Sequence, residues 1–193
     1  MRIALIDYGA GNVQSVKYAI KRLGFEPILT KDHDVIRDAD KVIFPGVGAA
    51  KSAMEQLIDS GLDKLIPSLK QPVLGICVGM QLMCNYSEEG DVECLGIIDA
   101  EVKKFREGLK IPHMGWNNIS DFKSKIFDGL LEGEQFYFVH SFYVPENKYS
   151  VALTNYGIRF SAAIQKDNFY AVQFHTEKSG DAGEQILKQF LEL

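Results

Sequence analysis

The chain has 193 residues, 46% of them hydrophobic and 24% charged, and this size and balance predict one globular domain with a substantial core. The formal net charge of −5 gives no electrostatic reason to expect binding to nucleic acid or to an anionic membrane. Three cysteines cannot all pair and match no zinc-ligand spacing, so we expect a reduced, cytoplasmic protein without a metal or other cofactor.

The amino-terminal half alternates short apolar runs with helical patterns, which predicts a parallel sheet covered by helices on both faces. The predicted strands are 3–6, 27–29, 41–44 and 73–76, and the predicted helices are 13–23, 49–58, 62–69 and 78–84. The first apolar run is too short for a signal peptide, and no run reaches the length of a membrane span. Reactive groups in such sheets collect at the carboxyl ends of strands, where Asp7, Gly48 and Cys77 fall.

The turns after the first and third predicted strands each carry two glycines. The turn at 7–12 contains Gly9 and Gly11 but lacks the third glycine of a dinucleotide-binding loop, so we favour a turn whose glycines allow close packing. The turn with Gly46 and Gly48 is too short for a phosphate-binding Walker loop. It is either a plain connection or a loop that turns a backbone N–H towards a neighbouring active site.

The stretch 75–79 reads Gly-Ile-Cys-Val-Gly and directly follows the fourth predicted strand. This is the cysteine counterpart of the nucleophile elbow, in which a strand ends, one residue takes a strained conformation and a helix begins at once. Gly75 and Gly79 fit this interpretation because larger side chains would collide in the crowded turn. Cys77 would then lie at a helix N-terminus, which favours the thiolate. The alternative is a small core residue, and the glycine bracket favours the nucleophile.

The carboxyl-terminal half has a different pattern, with short strands and no long helix between them. We predict a loop at 86–93 and hairpin turns at Gly157 and 167–168. The predicted strands are 95–98, 102–105, 136–139, 151–153, 158–164 and 169–174. This half should be antiparallel or mixed, an extension of one α/β domain over 1–193. Ser179 is expected to cap a last helix whose inward face is Ile186, Leu187, Phe190 and Leu191.

The last predicted strand leads into His175, and Glu177 follows two residues later. In extended backbone residues i and i+2 point the same way, so the carboxylate could reach the imidazole. A carboxylate on one ring nitrogen fixes the tautomer and leaves the other nitrogen free as a base. A structural histidine is the alternative. Together with Cys77, the pair makes a complete triad of nucleophile, base and orienting carboxylate.

The blocks 75–81 and 174–177 resemble the triad-type, or class I, glutamine amidotransferases. These enzymes hydrolyse the side-chain amide of glutamine and pass the ammonia to a synthase. The resemblance narrows to the glutaminase subunits of imidazole glycerol phosphate synthase, from histidine biosynthesis, at the blocks 7–12, 45–48, 112–117 and 139–143. It runs from the first residue to the last helix. It implies that family's fold, a mostly parallel central sheet flanked by helices with an antiparallel extension.

The resemblance also implies a role for each matching residue. Cys77 would attack the carboxamide of glutamine, His175 would transfer the proton to the leaving nitrogen, and Glu177 would orient His175. The positions that match those holding the backbone groups of glutamine are Gln81, Ser141 and Phe142. The oxyanion donors would be the N–H of Val78 and one from the loop of Val47 and Gly48, whose peptide is thought to flip when a partner binds.

The partner implied by the resemblance is a (β/α)8-barrel cyclase, in a heterodimer. It would use the ammonia to make imidazole glycerol phosphate and an aminoimidazole carboxamide ribotide, and its barrel would cap the glutaminase mouth. The positions that match the interface are Trp116, Tyr137 and Lys178. On physical grounds alone Trp116 would be a core residue. Thr176 stands where the family usually has proline, so the same backbone is permitted but not enforced.

Three other functions remain open at this level. A paralogous glutaminase subunit would supply ammonia to another synthase, such as one that amidates a bacterial surface sugar. A stand-alone cysteine hydrolase of the same fold would need no partner. A non-catalytic binding subunit would keep the site without using it, and the intact triad argues against that.

Overall fold

The computed structural model describes residues 1–9, 13–106 and 108–193, so residues 10–12 of the predicted first turn lie outside the described part. The strands of the amino-terminal half are β1 (Ile3–Ile6), β2 (Ile28–Thr30), β3 (Lys41–Gly46), β4 (Val73–Cys77), β5 (Tyr86–Ser87) and β6 (Val92–Glu93). Those that follow are β7 (Glu101–Lys104), β8 (His113–Asn118), β9 (Gln135–His140), β10 (Phe142–Tyr143), β11 (Ser150–Asn155), β12 (Arg159–Lys166) and β13 (Phe169–Val172).

The helices of the described residues are α1 (Val13–Arg22), α2 (His33–Arg37), α3 (Ala50–Asp59), α4 (Leu62–Leu65), α5 (Val78–Leu82) and α6 (Gly180–Glu192). Short 3-10 turns occupy Ile66–Ser68, Lys125–Phe127 and Thr176–Lys178. The predicted helix 62–69 therefore ends early, because Pro67 has no N–H to donate to an α-helix. None of these helices is both long and apolar enough to cross a bilayer.

The central sheet of the described chain has the strand order β11-β12-β13-β4-β3-β1-β2. Neighbouring strands from β13 to β2 are parallel, whereas β12 and β11 are added antiparallel at one edge. Strands β1, β3 and β4 are buried along their whole length, as strands covered by helices on both faces must be. The predicted fold class, a mostly parallel sheet with an antiparallel extension in the carboxyl-terminal half, is confirmed.

In the part of the chain that the structure describes, two smaller β-structures lie beside the central sheet. Strands β10, β7, β5 and β6 form one, and β8 and β9 form an antiparallel ribbon. In the ribbon His113 lies opposite His140, and Trp116 lies opposite Tyr137. Strand β8 was not predicted, because its Gly-Trp-Asn-Asn sequence lacks the apolar alternation of a strand with one buried face.

Two sequence predictions in the segment between β4 and β7 are wrong. The predicted loop 86–93 contains β5 and β6, which pair with each other while β5 also pairs with β7. The predicted strand 95–98 is not a strand. Its backbone N–H groups bond instead to the carbonyls of Leu82, Met83 and Cys84 at the end of α5. Ile97 and Ile98 are buried because the run wraps the helix end, a contact that strand-like composition does not reveal.

The last helix confirms the predicted inward face, since Ile186, Leu187, Phe190 and Leu191 are all buried. Ser179 occupies the N-cap position, but its side chain does not cap the helix. Its hydroxyl donates to the carbonyl of His175 at 2.6 Å and accepts from the N–H of Tyr137 at 3.0 Å. Ser179 therefore fastens the segment that carries His175 to strand β9.

Candidate active site

A cleft of about 460 Å³ opens where β3, β4 and β13 end. The predicted site residues that line it are Val47, Gly48, Cys77, Val78, Gln81, Ser141, Phe142, His175 and Lys178. Glu177 lies behind His175, and Trp116 and Tyr137 lie on the neighbouring ribbon. The predicted residues of this site thus come from four separate stretches of sequence and meet at the carboxyl edge of the parallel sheet, as ligand sites in such sheets do.

Cys77 has the backbone conformation of a nucleophile elbow. It ends β4 and precedes α5, with φ 55° and ψ −111°, a positive-φ conformation that residues other than glycine rarely adopt. A Cβ atom on Gly79 would overlap the carbonyl oxygen of Phe44 in β3, and one on Gly75 would lie 3.0 Å from the backbone of Gly79. Gly79 is therefore needed for the helix to follow the strand so closely, and a side chain at Gly75 would fit only if its neighbours shifted slightly.

The fit of the elbow against β3 predicts a large cost for Gly79→Ala. Because the added methyl group meets a backbone carbonyl rather than a flexible side chain, β3 or the elbow must shift, and we expect a loss of about 3 kcal/mol in the free energy of unfolding. Chemical denaturation measures it. Gly133→Ala is the control, since that glycine has φ 87° and open space around it, so only the conformational cost of about 1–2 kcal/mol applies. Equal losses in the two variants would show that the elbow is not sterically tight.

His175 and Glu177 form a buried pair in which Nδ1 lies 2.8 Å from Oε1. The contact was expected, but Glu177 lies in the 3-10 turn Thr176–Lys178 and not in extended backbone, so the expected geometry is wrong. Thr176 begins this turn, buried, at the position of the family proline. Because an ionised carboxylate only accepts hydrogen bonds, Nδ1 carries the hydrogen and Nε2 remains for Cys77.

The charge state of His175 follows from its two partners. Burial alone would lower its pKa, but hydrogen bonds with Cys77 and Glu177, and the negative charges of both, raise the pKa to about 10. The imidazole is therefore protonated near neutral pH when the sulfur is ionised. An activated cysteine nucleophile works as such a pair of thiolate and imidazolium.

The loop after β3 brings a second backbone segment to the nucleophile. Val47 and Gly48 line the cleft, and Gly48 has φ 96°. The carbonyl of Pro45 accepts a hydrogen bond from the hydroxyl of Tyr8 at 3.0 Å. Burial and the nearby charge of Cys77 raise the pKa of Tyr8, so its hydroxyl stays neutral and remains a donor. Across the cleft, Val78 is the first residue of α5, and a first-turn N–H has no partner within its own helix.

Sequence reasoning missed Glu89 as a cleft residue. One oxygen of its carboxylate accepts the N–H of Ala50 at 2.9 Å, which ties the hairpin of β5 and β6 to the start of α3. Burial raises the pKa of Glu89, and the hydrogen bond from Ala50 opposes this. Glu89 belongs to the acidic stretch predicted as a loop, and only the pairing of β5 with β7 brings it to the cleft.

An exposed surface lies beside the cleft on the β8–β9 ribbon. Trp116 and Tyr137 pack edge to face with ring centroids 6.0 Å apart, and Lys178 Nζ lies 5.7 Å from the Tyr137 ring. Trp116 is 54% exposed and Met114 is 62% exposed, so the core interpretation of Trp116 is wrong. The reason is that the outer face of this two-stranded ribbon is uncovered. We call Met114, Trp116, Tyr137 and Lys178 the aromatic patch.

Comparisons with known proteins agree with this geometry. The profile of the family Glutamine amidotransferase class-I matches residues 4–193. A relative from Bacteroides fragilis strain YCH46, named imidazole glycerol phosphate synthase subunit HisH, is 58% identical over 196 residues and covers 100% of both chains. The subunit of the same name from Escherichia coli strain K12 is 50% identical with the same coverage. A solved structure of a glutamine amidotransferase has a TM-score of 0.77 at 17% identity, covering 98% of this chain and 97% of the other.

Proposed function

The chain belongs to the class-I glutamine amidotransferase family, and on that premise we propose that it is the glutaminase subunit of an imidazole glycerol phosphate synthase in histidine biosynthesis. It hydrolyses glutamine to glutamate and ammonia. The observation that carries this proposal is the position of Cys77 on the elbow, in one cleft with a histidine whose Nδ1 is held by Glu177. That arrangement supplies a nucleophile, a proton carrier and its orienting group in one cleft.

The reaction begins with the Cys77 thiolate beside the His175 imidazolium. The sulfur attacks the side-chain carbonyl carbon of glutamine, and a tetrahedral oxyanion forms. His175 then gives its proton to the amide nitrogen, and the C–N bond breaks. Ammonia departs, and the glutamyl group remains on Cys77 as a thioester. Water, deprotonated by His175, attacks the thioester and releases glutamate, which restores the ion pair. Glu177 keeps the Nδ1 hydrogen in place through both proton transfers.

The oxyanion is held by backbone donors from both sides of the cleft. The N–H of Val78 is one, because it begins the helix directly after the nucleophile. The second comes from the loop that carries Val47 and Gly48. Since a missing donor costs about 2.7–4 kcal/mol of barrier, a partner that orients this loop would strongly activate the subunit.

The α-ammonium and α-carboxylate groups of glutamine are recognised by a different part of the cleft wall from the one that holds the oxyanion. Gln81, Ser141 and Phe142 line that part of the cleft, and Glu89 adds a carboxylate that can pair with the substrate α-ammonium. One oxygen of Glu89 is bonded to the N–H of Ala50, which fixes the orientation of the carboxylate towards the ligand. Lys178, also on the cleft wall, offers a cation for the α-carboxylate or for the partner.

Replacing Glu89 with glutamine tests this recognition. The amide oxygen can still accept the Ala50 N–H, but the charge is lost, so we expect KM for glutamine to rise about 10-fold or more with a smaller change in kcat. Initial rates across glutamine concentrations measure it. The neighbour Glu88 bonds the N–H of Lys104 outside the cleft, and Glu88→Gln is the matched control. An unchanged KM in Glu89→Gln would remove Glu89 from the binding site.

The ammonia is passed to a barrel-type cyclase that covers the cleft. Two observations support a partner: the relatives are named as subunits of a synthase, and the exposed aromatic patch borders the cleft. Exposed apolar surfaces of this kind mark sites of protein association. We propose that a (β/α)8-barrel cyclase docks on the patch as a heterodimer and takes ammonia into its interior. A free thiolate nucleophile also favours the reducing cytoplasm.

Nitrogen transfer tests the whole proposal. The protein is mixed with the histidine-pathway cyclase, its ribulosyl aminoimidazole nucleotide substrate and glutamine labelled with ¹⁵N in the side-chain amide. We expect ¹⁵N in the imidazole product even when unlabelled ammonium is present, because channelled ammonia does not mix with solvent. Glutamate release without transfer would point to another synthase as the partner. Full glutaminase activity without any partner would instead identify a free-standing hydrolase.

A further inference from the structure

Gln173 is a fully buried polar side chain that the reaction above does not use. Its Nε2 lies 3.8 Å from the sulfur of Cys77, within the range of a hydrogen bond to sulfur, and its Oε1 lies 3.0 Å from Nε2 of Gln81. We propose that Gln173 is a further catalytic residue, whose amide N–H donates to the Cys77 sulfur and stabilises the thiolate. This inference rests on the proposed glutaminase function.

The neighbouring groups fix which end of the Gln173 amide faces the sulfur. The carbonyl of Phe142 can only accept, so the end of the Gln81 amide that lies 3.0 Å from it must be the NH₂ group. The same NH₂ group faces Gln173, which must therefore present its oxygen. The Gln173 NH₂ group is then left for Cys77. The direction of the donor follows from an unambiguous backbone acceptor and not from a choice between oxygen and nitrogen.

The acceptor that fixes this direction is itself held by a buried histidine pair. His140 Nδ1 donates to the carbonyl of Phe142 at 2.6 Å, so its Nε2 is bare and accepts from His113 Nδ1 at 2.9 Å. His113 Nε2 in turn accepts from the Asn117 amide at 3.3 Å. Burial lowers the pKa of His113 to about 4 and that of His140 to about 3, so both rings are neutral at physiological pH.

These hydrogen bonds, which meet at the carbonyl of Phe142, connect the nucleophile with the β8–β9 ribbon. His113 and Asn117 lie on β8, before and after Trp116 in the sequence. His140 is the last residue of β9. The backbone of Gln173 is also fixed, because its N–H bonds the carbonyl of Ala162 in β12 at 2.8 Å. The backbone N–H and the amide oxygen of Gln173 are both held, so the side chain loses little entropy when its NH₂ group donates to the sulfur. The buried site also strengthens that hydrogen bond.

A donor aimed at the sulfur affects the thiolate and the thioester differently. The thiolate carries a full negative charge, and hydrogen bonds to ionised acceptors are about twice as strong as those between neutral groups. The thioester sulfur is neutral and accepts weakly. Gln173 therefore acts on the resting ion pair and on the return of the sulfur as a leaving group, and it should govern the pH at which Cys77 becomes reactive.

Two substitutions separate this role from a merely structural one. Gln173→Glu is nearly isosteric and keeps an oxygen for Gln81, but it replaces the donor with a group that repels the thiolate. Gln173→Met removes both hydrogen bonds at similar volume. Gln165→Met is the matched control, since Gln165 lies on the adjacent strand β12, whose register places it opposite Tyr170 and away from the cleft.

The test is the rate at which iodoacetamide alkylates Cys77 in the full chain, followed by mass spectrometry of the Cys77 peptide from pH 5 to 9. We expect the midpoint of the pH–rate curve to move to higher pH in Gln173→Met and further in Gln173→Glu, with an unchanged plateau. Gln165→Met should follow the unmodified chain. A lower rate at every pH with an unmoved midpoint, or curves that coincide with that of the unmodified chain, would overturn the role of Gln173.

The same experiment distinguishes failure of this inference from failure of the proposed function. Alkylation requires neither glutamine nor the partner. If Cys77 of the unmodified chain is no more reactive near pH 7 than an ordinary thiol, the glutaminase proposal itself loses its nucleophile. If Cys77 is reactive and the variants match it, only the role of Gln173 fails. Thermal melting of each variant establishes that it is folded, and Gln173→Glu decides the matter if Gln173→Met does not fold.

Discussion

Cys77→Ala is expected to abolish glutamine-dependent synthesis while leaving ammonia-dependent synthesis by the complex intact. Without the sulfur no thioester can form, and loss of a triad nucleophile lowers kcat by about 10⁶-fold in enzymes where it has been measured. The partner would still use ammonia supplied from solution, because its own reaction requires ammonia and not glutamine. Product formation with glutamine and with ammonium chloride, compared in the same complex, measures the two activities separately.

Cys84→Ala is the control for the loss of a buried thiol. Cys84 follows α5 and is buried, its sulfur lies 3.8 Å from the carbonyl of Met80, and burial raises its pKa, so it is unreactive. This variant should retain both activities. If Cys77→Ala kept glutamine-dependent synthesis, the hydrolysis would not pass through a Cys77 thioester. If it lost the ammonia-dependent activity as well, the substitution would have disrupted the complex and not only the chemistry.

Glu177→Gln is expected to lower kcat by about 10⁴-fold, with a smaller change in KM, as the corresponding change does in serine-protease triads. The amide can turn its NH₂ group towards Nδ1 of His175, which stabilises the wrong tautomer and leaves Nε2 protonated in the neutral ring. Glu177 also raises the pKa of His175. Its removal lowers that pKa, so the alkaline limb of the kcat/KM profile should move to lower pH.

The pH dependence of kcat/KM in the activated complex measures this effect. Glu192→Gln, at the exposed end of α6, removes the same charge away from the cleft and should change neither kcat nor the profile. Because the Glu177 carboxylate is buried, the folded state of Glu177→Gln is established by thermal melting before the kinetics are compared. A full rate with an unmoved alkaline limb would show that Glu177 does not orient His175.

The features that could be predicted from sequence are those set by residues close together in the chain. The elbow depends on five consecutive residues, and the Cys77 conformation and the need for Gly79 both follow from them. The alternation of strands and helices predicted the parallel sheet for the same reason. His175 and Glu177 were paired because they are two residues apart, although the turn that brings them together was not foreseen.

The features that escaped prediction depend on contacts between distant segments. Residues 95–98 bond the carbonyls at the end of α5 and do not pair with a strand. The hydroxyl of Ser179 accepts a hydrogen bond from the N–H of Tyr137 in β9 and does not cap its own helix. Trp116 is exposed because the outer face of its ribbon is uncovered. Glu89 reaches the cleft only through strand pairing, and Gln173 reaches the sulfur of Cys77 through the hydrogen-bond network behind Phe142. No local pattern marks residues of this kind, since their partners belong to other segments of the chain.

The most direct test of the central claim is labelling of the protein with a diazoketone analogue of glutamine, which alkylates a thiol that attacks the substrate position. We expect one adduct per chain, located on Cys77 by peptide mass spectrometry, prevented by excess glutamine and formed faster when the cyclase and its nucleotide are bound. Cys77→Ala should take up no label. Labelling at another residue, or none at Cys77 even in the activated complex, would contradict the assignment of this cleft as a glutaminase site.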